Sequence, residues 1–172
     1  MRARREEKKL MVKGGESGAL ITQRVLSSLR LVYGEELGKL EESIQKAIAY
    51  RAYDLFQRRG RSHGRDLEDW FRAEDELARP TDIEISEGAG QLRVRARLSG
   101  LSAGEIQLGL APRKLIVWGQ TLREDPAARS GVRRVRQTLG EIELPVAVDP
   151  KKASATFNAG ILVFQAPKTR SP

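Results

Sequence analysis

The sequence predicts a mainly β protein, an antiparallel β-sandwich over residues 80–168 with a helical hairpin extension before it. Three observations predict this. Before Pro80 the apolar residues recur three and four apart, whereas after it they alternate, with turn residues about every eight to twelve positions. Pro80 disfavours helix at Arg79 and so marks the change of texture. Of 172 residues, 40% are hydrophobic and only 5% aromatic, so the core must be built from aliphatic side chains.

Residues 1–13 carry six basic and two acidic side chains, and Gly14, Gly15 and Gly18 follow. A disordered basic tail is expected over 1–18, solvated rather than bound. Residues 19–79 read as helical. Leu20, Ile21, Val25, Leu26, Leu29 and Val32 form one stripe over 19–33. Such a stripe either buries against the chain or offers a sticky arm to other proteins, and the residues leave both readings open.

A hairpin is expected at about 35–78. From Glu35 to Arg59 the stripe continues as Leu37, Leu40, Ile44, Ile48, Ala52, Leu55 and Phe56. Gly60, Gly64 and the polar run Arg61-Ser62-His63 break it. Asp66 is placed to cap a second helix, whose apolar face is Leu67, Trp70, Phe71 and Leu77. Asp66, Glu68 and Asp69 fill its first turn, where the helix dipole favours negative charge. A DNA-reading helix-turn-helix is not expected here. The positions assigned to solvent, Glu68, Asp69, Glu74, Asp75 and Glu76, repel phosphates.

Strands follow at short intervals. Ile83 and Ile85 alternate with Glu84 and Ser86; Leu92, Val94, Ala96 and Leu98 alternate with Arg93, Arg95 and Arg97. Ile106, Leu108 and Leu110 alternate with Gln107 and Gly109, while Leu115 to Trp118 is apolar on both sides, as in a central strand. Ile142 and Leu144 alternate with Glu141 and Glu143, and Ala155 and Phe157 with Thr156 and Asn158. Ile161 to Phe164 is again apolar on both faces. Seven or eight strands so spaced make a sandwich, and residues 169–172 form a short tail. The arginine row is a wet strand face, with Glu84, Glu141 and Glu143 as cross-strand partners.

Composition excludes much chemistry. With no Cys there is no disulfide framework, thiolate nucleophile or Cys-based metal site, and His63 is the single imidazole. No phosphate loop, paired-acid pocket or nucleophile–His pair is visible, so neither an enzyme nor a metal or other cofactor is expected. His63 reads as a turn residue. The net charge of +8 raises a nucleic-acid partner, which is not expected given the interleaved acids. The best apolar stretch, Ala19 to Val32, is cut by Arg24 and Arg30, so neither a membrane span nor a signal-peptide core is expected. A cytoplasmic location fits best.

Two resemblances add to this reading. Arg51-Ala52-Tyr53, the glycine-punctuated turn, Asp66-Leu67, Trp70 and Ala73-Glu74 resemble a short bacterial family of unknown function over about 44–77. The β region resembles the alpha-crystallin domain of the small heat-shock proteins over 81–168. Ala96 to Leu101, with Gly100 in its turn and Glu105-Ile106 after it, looks like the turn into an interior strand. Leu115 to Gly119 and Glu143-Leu144-Pro145 with Val148-Asp149 look like its next strand and corner. Ala155 to Leu162 matches the A-x-x-x-x-G-[IV]-L signature through Ala155, Gly160, Ile161 and Leu162, and Ala166-Pro167-Lys168 closes the last strand.

The resemblance implies an immunoglobulin-like sandwich and an ATP-independent holdase for unfolding proteins, working as a homodimer or small oligomer in the stress response. The alternative is a scaffold or co-chaperone-like adaptor without general holdase activity. A client groove is expected at Leu108, Leu110, Ala155, Phe157 and Leu162, beside open strand edges. Four departures bear on assembly: Ser99 replaces the usual Pro, Gly140 replaces the usual Arg, the stretch from Gly119 to Val132 is short for a swapped strand, and Thr169 to Pro172 lacks an I-x-[IV] motif.

Overall fold

The computed structural model describes residues 29–124 and 133–169. The tail expected at 1–18, the stripe at 19–28 and residues 170–172 lie outside the described residues. Arg30–Val32 forms strand β1, where the sequence predicts the end of a helical stripe. The reason is a second periodicity in the same residues. Leu29 and Leu31, two apart, turn together into the sandwich core, while Val32 turns the other way.

Helix α1 spans Glu35–Arg58 and buries Leu40, Ile44, Ile48 and Leu55, four of the seven residues expected on its stripe. Leu37, Ala52 and Phe56 are half-buried at its margin. Helix α2 spans Asp66–Asp75, so Arg65 rather than Asp66 stands at its cap, and no side chain caps it. Its buried face also differs from the expected one. Asp69 and Ala73 face α1, with Trp70 half-buried and Leu77 buried beyond the helix end, while Leu67 and Phe71 remain 72% and 58% exposed. Small and charged-paired residues let the helices approach, and this turns the two larger side chains outward.

Two four-stranded sheets make the sandwich. The first runs β1, β4 (Ile106–Ala111), β5 (Lys114–Glu124), β6 (Arg133–Glu143); the second runs β2 (Thr81–Glu87), β3 (Gln91–Arg97), β8 (Ile161–Pro167), β7 (Ser154–Asn158). All pairs are antiparallel except β1 with β4, where Arg30, Leu31 and Val32 sit opposite Gln107, Leu108 and Gly109. β5 and β6 pair along their whole length, from Lys114 opposite Glu143 to Glu124 opposite Arg133.

The inner faces bury Leu92, Val94, Leu110, Leu115, Val117 and Phe164 among others. A second core lies on the outer side of the first sheet, where Ile116, Trp118 and Leu139 meet Leu40, Ile44, Ile48 and Leu77 of the hairpin region. Hence β5 is apolar on both sides: alternate residues serve two different cores. The hairpin is tied at both sheet edges. β1 seals the β4 edge before α1. After α2, Ala78 N–H donates to Gln137 O at 2.9 Å and Leu139 N–H donates to Ala78 O at 3.0 Å on the β6 edge.

Candidate interaction surfaces

The five residues of the expected groove do come together, but as core. Leu108, Leu110 and Leu162 are no more than 1% exposed, Phe157 is 6% exposed and Ala155 is half-buried. No open groove lies among them, because β1 covers the β4 edge and Leu29 and Leu31 pack against the same cluster. The signal that finds this occupant is the Leu29-Arg30-Leu31 alternation, hidden within residues that also fit a helical stripe. The motif residues keep structural places. Gly100 turns the chain after β3, Pro145 follows β6, Leu144 is buried, and Gly160 turns β7 into β8 ahead of half-buried Ile161.

The arginine row is exposed on β3 and laced with ion pairs. Arg97 Nε donates to Asp82 Oδ2 at 2.8 Å, and Arg95 lies 3.5 Å from Glu84. Glu141 and Glu143, expected as partners, belong to β6 in the other sheet, so pairing within the strand's own sheet decides otherwise. Asp82 was the missed partner; it stands in left-handed backbone at φ +50° where the β2–β3 register shifts.

That leaves β2 as an edge strand with every residue from Thr81 to Glu87 exposed, Ile83 at 44% and Ile85 at 40%. Among the described residues its outward N–H and C=O groups have no neighbouring strand, which is the requirement for accepting another chain. Glu87 accepts from Lys168 Nζ at 2.7 Å, so cations in the same sheet offset much of the acidity of this edge.

On the hairpin, Tyr50 and Tyr53 are exposed with Leu67 and Phe71. The turn between the helices is held by Arg59, whose Nη2 lies 2.7 Å from Asp69 Oδ2. The hydrogen bond with Asp69 raises the Arg59 guanidinium pKa above its ordinary value. Asp69 is thus buried and paired, contrary to its expected place among the exposed acids. Glu74, expected beside it, is half-buried and accepts from Trp70 Nε1 at 3.0 Å. His63 packs its ring 5.4 Å from Phe56, and Arg59 lies 5.3 Å from the same ring centre. Arg51 bridges the helices to Glu76, which raises its pKa as well.

Among the described residues no group of three or more His, Cys, Asp or Glu is placed to hold a metal ion, and no helix is long and apolar enough to cross a membrane. The surfaces on offer are a strand edge, an edge cleft already filled and a helical face.

The chain is similar to several solved structures. Heat shock protein 16.0 from Schizosaccharomyces pombe is 24% identical, over 56% of this chain and 94% of that chain, with a TM-score of 0.44. A Del-C4 mutant of hsp14.1 from Sulfolobus solfatataricus P2 is 26% identical, over 57% and 88%, at 0.45. The hspA of Xanthomonas axonopodis is 20% identical, over 55% and 97%, at 0.43. Among curated proteins nothing matches. A protein family of unknown function, DUF2934, matches residues 43–79, which hold most of the helical hairpin. Residues 84–172, more than half of the chain, match the model of the Hsp20/alpha crystallin family, and the chain belongs to that family.

Proposed function

We propose that the chain is an ATP-independent holdase that captures unfolding proteins, chiefly by letting an extended client segment add to the β2 edge. The family is one of chaperones, which are not enzymes, and its members bind unfolded proteins and form oligomers. The observation that carries the reading is the combination at β2 of a strand edge unpaired among the described residues with Ile83 and Ile85 about 40% exposed. Backbone groups of the edge give sequence-independent hydrogen bonds, and the two isoleucines give apolar contact; an unfolding chain has both to offer. Neutralised acids on the same strand leave no strong charge to select one client.

Leu108, Leu110, Ala155, Phe157 and Leu162 serve in this reading as a reserve surface, reached only when β1 leaves its place. The working form is a homodimer or small oligomer in a bacterial cytoplasm, without cofactor, metal, membrane or nucleic acid. The test is light scattering from a heated thermolabile enzyme without ATP. Near-stoichiometric chain should suppress aggregation, and Ile83→Asp with Ile85→Asp should lose the suppression at an unchanged melting temperature. Failure of the unsubstituted chain to suppress aggregation, while folded, would favour an adaptor for one particular folded partner.

A further inference from the structure

Helix α2 presents a face that the rest of the described fold leaves bare. Leu67 and Phe71, one turn apart, are both exposed, and Asp75 continues their row by a further turn. Glu68, three residues before Phe71, borders the same row and is exposed as well. From Asp66 to Glu76 the chain carries six acidic residues and one basic residue, Arg72, for a net charge of −5. On the side toward α1, Arg59 and Arg51 pair with Asp69 and Glu76, while Arg65 lies 3.8 Å from Glu68. Glu74 and Asp75 pair with no cation among the described residues. Large apolar side chains bordered by carboxylates fit a segment that joins apolar side chains to basic ones.

We propose that this face is covered by residues 8–13 of the same chain, Lys8-Lys9-Leu10-Met11-Val12-Lys13, which are thereby docked rather than left to solvent. Three adjacent apolar residues between lysines answer both features at once, and residues 1–13 together carry six basic side chains against two acidic. Met11 also brings a flexible thioether, which packs well against an aromatic ring such as Phe71. No other stretch outside the described residues has this make-up. Residues 14–28 hold their apolar side chains with Arg24 alone as cation, and 125–132 and 170–172 each hold one arginine and no two adjacent large apolar residues.

The link is long enough. Residues 14–28 separate Lys13 from Leu29 and, extended, span about 50 Å. The Arg51 and Arg59 pairs set α2 along the far half of α1, a helix of 24 residues and therefore about 36 Å long. Tethering holds the segment near the face at high effective concentration. Isolated surface ion pairs contribute little, so apolar contact supplies the hold and charge selects the segment. Such a contact is independent of the β2 edge and of client capture.

The chain has no cysteine, so Gly14→Cys in the full chain takes a single nitroxide label just after the segment. The oxidised label should broaden the amide resonances of Leu67 to Asp75 selectively, with an intensity loss independent of protein concentration, and chemical reduction should restore them. Lys8→Glu with Lys9→Glu and Lys13→Glu should abolish the loss. Adding Glu68→Lys and Asp75→Lys should bring it back, since both sides then change sign. Leu67→Ser with Phe71→Ser should abolish it too, at an unchanged melting temperature, because both side chains are exposed. Raised salt should lessen it.

Absence of a selective loss at α2 in the folded chain overturns the proposal, as does a loss that survives either the lysine reversals or the two serines. So does a loss seen only when the label sits on a second, isotopically unlabelled copy mixed into the sample; the face then takes the segment from a neighbouring chain.

Discussion

Asp69 shows how one residue changes role between chain and fold. As a letter in an acidic run it belongs to solvent; in the structure it is 7% exposed, both its oxygens accept from Arg59 Nε, and Arg59 Nη2 lies 2.7 Å from Oδ2 as a charge contact. A carboxylate so placed is tolerable only while the guanidinium faces it, and the hydrogen bond between charged groups is among the stronger side-chain interactions. Asp69→Ala strands Arg59 at the inter-helix turn, beside Phe56 and His63. Thermal unfolding should show a loss of about 2 kcal/mol, the range for a hydrogen bond to a charged group. Asp66→Ala, one turn earlier and exposed, should cost less than a quarter of that. Equal losses at the two positions would mean that the hairpin turn is held by helix propensity and not by the buried pair.

At the scale of elements, Gly140 explains a departure that the sequence only displays. Buried Pro80 lies on the Gly140 backbone; a Cβ there would stand 2.8 Å from Pro80 Cδ and closer still to Cγ, so the position of the expected Arg has no room for a side chain unless Pro80 moves. Gly140 therefore marks where the end of the hairpin region docks on β6. Gly140→Ala should cost about 1–3 kcal/mol by overpacking, and amide exchange should quicken first at Ala78 and Leu139, the two N–H groups that tie hairpin to sheet. Uniform loss of protection across both sheets would refute a local origin. The seven strands after Pro80 were legible because alternation and turns are local signals, repeated often. β1 was not legible: three residues carry too little alternation to outweigh a helical stripe, and its partner lies far down the chain. The α1 stripe was legible, whereas Leu67 and Phe71 misled because their i, i+4 spacing is as regular as that of a buried pair. What buries α2 is Asp69 with Ala73, a charged residue and a small one. The proposed groove residues were found as a cluster, but that β1 fills the cleft beside them depends on a contact no local pattern encodes.

For the whole molecule the two family segments are one folding unit, because the second core is shared. Ile116, Trp118 and Leu139 come from the sandwich, and Leu40, Ile44, Ile48 and Leu77 come from the hairpin region. Each large aliphatic or aromatic side chain contributes about 1.5–3 kcal/mol by leaving water, so the three sandwich residues alone account for about 5 kcal/mol or more. Removing residues 1–79 would strip that cover, uncover the β4 edge and release Ala78 from the β6 edge at once. The sandwich strands keep their own core, so circular dichroism should still report sheet. Trp118, the sole tryptophan left, should emit at longer wavelength than a buried indole, and the fragment should self-associate at concentrations where the full chain does not. Adding the separate hairpin peptide 29–79 should reverse both changes. If the fragment instead stays monomeric with Trp118 emission typical of a buried ring, the hairpin is an appendage, and the shared core contributes little to solubility or fold.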